Sequence, residues 1–86
     1  MVLRVSSKTS PNSVAGAIIG LLQENKSVEL QAIGAGAINQ AIKAVAIARG
    51  YIAPSGVDLV CVPAFAIVDV ENEKKTGIKI IVKEIK

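Results

Sequence analysis

The spacing of apolar residues changes period several times along the chain, and each change marks an element. Val2-Leu-Arg-Val-Ser6 alternates weakly and predicts a first strand. Ser10 then Pro11 is a helix start, an N-cap hydroxyl followed by a residue that needs no N–H donor. From there Val14, Ala17, Ile18, Leu21 and Leu22 recur at helical spacing to about Asn25. Ser27–Ile33 sets Val28, Leu30 and Ala32 against Glu29 and Gln31, which predicts a second strand. A glycine turn, Gly34-Ala-Gly36, then opens an alanine-rich helix expected to stop at Gly50. Placed at ~100° per residue, Ile38, Ala41, Ile42, Val45 and Ala48 share a side, and Asn39, Gln40 and Lys43 fall away from it. Tyr51-Ile-Ala-Pro-Ser-Gly56 breaks the pattern. Val57–Val70 is a long strand-like run in which Pro63, unable to donate to a ladder, marks an edge, a bulge or a break. Glu71–Gly77 predicts a turn, and Ile78–Ile85 a last strand with Lys79 and Lys83 on one parity.

The predicted order is therefore βαβαββ. Right-handed crossovers would put both helices on one face of a four-stranded mixed sheet, an α+β, two-layer fold with the final hairpin projecting as an arm. Residues 1–86 are read as one domain, without repeat, linker or low-complexity segment. Gly16 and Gly20 lie one turn apart in the first helix, and each costs ~1 kcal/mol relative to alanine. Close approach by another backbone is one reading, and simple tolerance the other.

Composition narrows the chemistry. Hydrophobic residues make up 51% of the chain, but the aromatics are only Tyr51 and Phe65, so the core must be aliphatic. No apolar run approaches the ~20 residues of a membrane span, and no h-region of a signal peptide follows Arg4 and Lys8. The lone Cys61 has no internal disulfide partner, and a reducing cytoplasm is the expected location. With no histidine and one cysteine, neither a zinc site nor a histidine-based catalytic unit can be assembled within one chain. The expectation is a non-enzyme with no cofactor and no metal. The net charge of +3 permits a nucleic-acid partner without establishing one.

Candidate contact groups fall in three places. Lys8, Thr9, Ser10, Asn12 and Ser13 gather hydroxyls, an amide and a lysine at a helix N-terminus, which suits phosphate contact and equally suits an ordinary cap in a polar loop. Gly34-x-Gly36 has the start of a dinucleotide fingerprint, but Asn39 stands at the third glycine position, so a tight β–α turn is the better reading. The helix it opens carries Asn39, Gln40 and Lys43 on its polar side. Lys74 and Lys75 in the last hairpin can track a phosphate backbone or sit on a solvated tip beside Glu71 and Glu73. Two further residues break the helical pattern. Arg49 lies beside the apolar stripe, where it snorkels past the helix end or pairs with Asp58, a structural role. Ile47 lies on the polar side and, with Ala44, is the expected contact surface of a homodimer or higher homo-oligomer.

Three runs carry a resemblance. Ser10-Pro-Asn-Ser-Val-Ala-Gly-Ala17, the whole of residues 31–50, and Ala53-Pro-Ser-Gly-Val-Asp58 resemble the stage V sporulation protein S family, over essentially the full chain. That family is small, cytoplasmic and bacterial, linked to spore formation and septation, and its fold is similar to that of the Alba nucleic-acid-binding proteins. The resemblance implies a dimer, and contact of DNA or RNA through the first loop, the start of the second helix and the hairpin arm. By position the first-loop lysine falls near Lys8. The helix-start lysine falls at Gln40, which is uncharged, with Lys43 one turn on. Backbone recognition by Lys8, Ser10, Asn12, Asn39, Gln40 and Lys43, assisted by Lys74 and Lys75, is the reading this supports. The alternative is a protein–protein adaptor in septation or developmental regulation.

Overall fold

A computed structural model describes residues 2–25 and 27–85. Its elements are β1 (Val2–Val5), α1 (Pro11–Leu22), β2 (Ser27–Ala32), α2 (Ala35–Ile52), β3 (Asp58–Val70) and β4 (Glu73–Ile85), with a single 3-10 turn at Ala53–Ser55. The strands form one sheet in the order β1-β2-β4-β3. β1 runs parallel to β2, and β4 runs antiparallel to both β2 and β3. This is the expected α+β, two-layer arrangement with a four-stranded mixed sheet.

Register explains why one face is covered. Leu3, Val5, Val28, Leu30, Ala32, Ile78, Ile80, Val82, Leu59 and Cys61 share one side of the pleat, paired as Leu3 with Leu30, Leu30 with Ile80 and Cys61 with Val82. Both helices close over that side, and Ile18, Leu30, Ile80, Val28 and Val82 are its most deeply buried large side chains. The opposite side holds Arg4, Glu29, Gln31, Lys79, Lys83, Ile81, Val60 and Val62 and has no second layer among the described residues.

The buried face of α2 is rotated from the expected one. Ala37, Ala41, Ala44, Val45 and Ala48 are buried, whereas Ile42 is 45% exposed. The reason is spacing between layers: a row of alanines lets α2 approach α1 and the sheet more closely than isoleucines would. Ala44, expected on the outer side, is fully buried and cannot contact a partner, while Ile47 does lie outside at 40% exposure. In α1 the buried set is Val14, Ala15, Ile18 and Leu22, with Ala17 and Leu21 at the margin. Apart from the chain neighbours and α1's own backbone, no described atom comes within 4 Å of a Cβ built at Gly16 or Gly20, so no other element of this subunit packs closely on them.

Three boundaries differ clearly, the first being the end of α1, at Leu22 rather than near the expected Asn25. α2 runs through Gly50 to Ile52, and the chain reverses only at Gly56, whose φ is +85°. Mid-helix glycine costs ~1 kcal/mol, and packing Ile52 against the core offsets it. The last turn is shorter than expected. Only Glu71 and Asn72 form it, at φ 52° and 65°, and β4 begins at Glu73. Glu73, Lys74, Lys75 and Thr76 are all exposed, so hydrophobic alternation could not reveal them as strand. Pro63 sits on β3, an edge strand, as its missing N–H requires.

Candidate nucleic-acid interface

β1 and β2 are parallel, so both strand-to-helix connections leave the sheet at the same end. The β1–α1 loop is folded tightly on itself. The Ser6 N–H donates to Thr9 Oγ1 at 2.9 Å, the Lys8 N–H to Ser6 Oγ at 3.2 Å and the Thr9 N–H to the Ser6 carbonyl at 3.1 Å. Ser10 then caps α1, accepting from the Ser13 N–H at a long 3.4 Å. With its backbone pinned on both sides, the exposed Lys8 projects from a fixed base.

The second connection is bare by contrast. Gly34, at φ 88°, stands at the N-cap of α2 without a side-chain cap. Neither helix carries an acid in its first turn. Two positive helix ends therefore lie at one end of the sheet with no first-turn carboxylate to neutralise them. The sequence enforces this broadly: no Asp or Glu occurs before Glu24 or between Leu30 and Val57.

Two contacts join loop and helix. Gln40 Nε2 donates to the Thr9 carbonyl at 3.0 Å, a partly buried bond. A Cβ built on Gly36 would stand 3.0 Å from Ser7 Cβ, so Gly36 lets the loop lie directly on the start of α2. Lys8, Ser10 and Asn12 are thereby held beside the start of α2, where Asn39 and Lys43 stand exposed one turn apart. Gln40 is half-buried and uses an amide hydrogen to hold the loop, a role that residue type and spacing could not disclose.

The hairpin arm is residues 66–77, where β3 and β4 pair only with each other beyond the end of β2. Lys74 and Lys75 lie exposed on it, and Lys74 Nζ approaches Asp69 Oδ1 at 3.2 Å with both side chains about three-quarters exposed (75% and 73%). Such a pair is worth little. Arg4 is the group that sequence reasoning missed. Its Nη1 donates to the Asp69 carbonyl at 3.4 Å and so links β1 to the arm. The available signal was parity: Arg4 alternates with Leu3 and Val5, which places it on the open side of the sheet.

At the other end, Arg49 Nε donates to Asp58 Oδ1 at 2.6 Å and Nη2 to Oδ2 at 3.4 Å, while the Leu59 N–H donates to Oδ1 at 2.8 Å. The Arg49 hydrogen bond, then the Leu59 N–H, hold the Asp58 carboxyl below its ordinary value. Arg49 is thus the structural tie expected of it, fastening the end of α2 to the start of β3, away from the loop and arm.

Comparison with known proteins now decides the family. The family model of stage V sporulation protein S matches residues 1–85. The chain belongs to that family. Its fold is shared more widely: Alba from Thermoplasma volcanium superposes with a TM-score of 0.63 at 15% identity, over 100% of both chains. At that identity the likeness is one of fold. A sporulation family on an Alba-like frame fits a regulatory role, and no helix among the described residues is long and apolar enough to cross a membrane.

Proposed function

We propose that this protein is a non-enzymatic, nucleic-acid-binding regulator of sporulation or cell development, acting as a cytoplasmic homodimer of one-domain subunits. Lys8, Ser10, Asn12, Asn39 and Lys43 contact the phosphate backbone, Gln40 holds the loop in place, and Lys74 and Lys75 assist from the arm. The observation that carries this reading is the coupling of the first loop to the start of α2 through Gln40 and Gly36. It supports a single donor-rich surface at the end where both helices begin, with no acid in the first turn of either helix. Phosphate recognition needs N–H and O–H donors and mobile cations there and no base-reading element. Two subunits would double the contacts of a weakly charged domain.

The experiment is a titration with single- and double-stranded DNA and RNA at two salt concentrations. Affinity is expected to fall steeply with salt and to depend little on sequence. Lys8→Glu and Lys43→Glu each weaken binding and reduce the salt slope by about 1, with melting temperature nearly unchanged because both side chains are exposed. A salt-independent or strongly sequence-selective interaction rejects the reading.

The adaptor alternative rests on a specific observation. Phe65 and Ile67 are 80% and 66% exposed, on the helix side of β3 but beyond the helices. Exposed apolar side chains of that size suit contact with protein. For the dimer, Ile47 borders a shallow groove with Gly16, Ile19 and Tyr51 between the two helices. Light scattering on Ile47→Asp tests the assignment: a parent that is monomeric at tens of micromolar rejects the dimer, and a variant that keeps the parent's mass rejects only Ile47.

A further inference from the structure

Val68 of the arm, the first loop and the ends of β1 and β2 line a cleft of about 500 Å3. Ligand sites commonly fall between ~300 and 1,000 Å3. One wall is apolar, made by Val5, Ile33 and the arm's Val68, which is only 4% exposed. The other is polar, with Arg4, Ser7 and Gln31. Ser6 and Thr9 also reach the cleft, but their hydroxyls are 2.9 Å apart and bonded to each other. None of the lining residues is an acid, although Gln31 Nε2 donates to Glu29 Oε2 at 2.8 Å, so one carboxylate stands just behind the polar wall. The Arg4 guanidinium uses one donor on the Asp69 carbonyl, which leaves others of its five for an anion.

The lining restricts the occupant. A bare phosphate would satisfy Arg4 and leave the half-buried Ile33 in water, Val5 and Val68 being buried already. A neutral apolar molecule would cover Ile33 and take water from a guanidinium. An anion with an apolar body satisfies both. The surroundings narrow the class further. Lys8 stands in the loop between two lining residues, Ser7 and Thr9, and Lys75 lies directly across the ladder from Val68. Cations thus flank the cleft on loop and arm, at positions suited to the neighbouring phosphates of a chain.

We propose that this cleft takes one unpaired nucleotide, its phosphate on Arg4 and its base against Ile33 at the edge of the buried Val68. The proposal rests on the nucleic-acid reading above and deepens it. A duplex would have to unstack a base pair to reach in, so the cleft selects single strands and loops over duplexes. The same chemistry is offered by a free nucleoside monophosphate, which would bind without the flanking lysines and therefore more weakly.

The test follows the Arg4 Nε–H signal and the Ile33 and Val68 methyls by NMR in titrations of the intact protein. The titrants are a short unpaired oligonucleotide, a duplex of equal length and nucleoside monophosphates. All three signals are expected to move with the unpaired strand, and with monophosphates at higher concentration. Arg4→Met should weaken the strand about tenfold and the duplex less than about twofold. Val68→Phe, which fills the cleft and keeps Arg4, should also weaken the strand selectively. Equal losses for strand and duplex overturn the proposal, as do unmoved signals in the parent protein when the strand binds. If neither polymer binds, the nucleic-acid reading falls. Monophosphates then decide the cleft: shifts at Arg4 and Val68 support a free-nucleotide site, and their absence overturns the cleft as well.

Discussion

The body of the sheet and its arm are built from the same two strands, and they are held by different forces. In the body, β3 and β4 lie under α2, and Leu59, Ile80 and Val82 are 4% exposed or less. In the arm, residues 66–77, the ladder continues in full register, yet only Val68 and Gly77 are buried. The body persists because apolar area leaves water. The arm persists because its backbone groups pair, its turn has the right hand, and it leans on the end of β2. A region of the second kind presents backbone and cations to a ligand at little cost to the fold, and it is also the first to open.

The sharpest way to break this contrast is truncation. Leu30→Ala or Ile80→Ala is expected to destabilise by about 2–5 kcal/mol, through lost transfer energy and a residual cavity. Ile67→Ala in the arm, or Phe65→Ala at its base, is expected to change stability by no more than about 0.5 kcal/mol. Urea unfolding measures both. An arm truncation as costly as a core one would show that a partner covers Phe65 and Ile67 in solution.

The junction comes next in size. A Cβ on Gly77 would stand 2.8 Å from the Ala32 carbonyl oxygen and 2.9 Å from Ile33 Cγ1. The first of these is backbone and cannot step aside. Gly77→Ala is expected to cost about 1–3 kcal/mol, as overpacking does, and to lift the arm from the end of β2. Hydrogen exchange resolves this, with faster exchange expected in residues 66–77 than in the body. A variant as stable as the parent would show that the arm already stands away from the sheet.

These two regions also differ in how far they could be foreseen. The body was legible because burial writes a period into sequence. Val28, Leu30 and Ala32 against Glu29 and Gln31 marked β2 and its inner face. The Ser10–Pro11 start marked the first residue of α1, though its end, expected near Asn25, is Leu22. Where side chains are small the signal weakened. Alanine fits either side of a helix, so the face of α2 was assigned by its isoleucines, and Ile42 proved exposed while Ala44 was buried. The arm was legible only as a turn, because Glu73–Thr76 pair through backbone and bury nothing. The site divides in the same way. Donor types and loop position drew attention to Lys8 and Lys43. Gln40 as a fastener and Arg4 as a tie to the arm depend on contacts 31 and 65 residues apart in sequence, which no local pattern encodes.

A smaller effect sharpens what holds the arm. Glu71 and Asn72 both have positive φ, the left-handed geometry of a two-residue hairpin turn. Asn tolerates that region, but an ordinary L-residue pays ~1–2 kcal/mol there. Replacing the pair by Asn-Gly (Glu71→Asn with Asn72→Gly) is expected to stabilise the turn by about 1 kcal/mol. The gain should appear as slower exchange in the arm with little change at Leu30 or Ile80. Equal slowing throughout would mean that arm and body open as one unit.

The smallest expected effect separates the ion pairs of the two regions. In the arm, Lys74 meets Asp69 through a single contact between side chains that are 75% and 73% exposed. In the body, Arg49 grips Asp58 with two nitrogens, and the Leu59 N–H fixes the same carboxylate. Folding therefore lowers the proton affinity of Asp58, chiefly through the Arg49 hydrogen bond. The sign follows from which state holds the proton. A carboxyl whose folded value is depressed contributes stability that is present above its unfolded value and is lost as pH falls through the folded value. Acidification past the ordinary 3.8 of Asp58 should thus erode stability in the parent. Arg49→Gln removes the largest cause and is expected to flatten part of that slope, while Lys74→Gln leaves it unchanged. Both side chains of the Arg49 pair are substantially exposed, at 57% and 45%, so the difference is small and shrinks further with salt. Urea unfolding of the two variants from neutral to acid pH measures it. If Lys74→Gln flattens the profile as much as Arg49→Gln, bidentate geometry and a backbone donor do not distinguish the body's pair from the arm's.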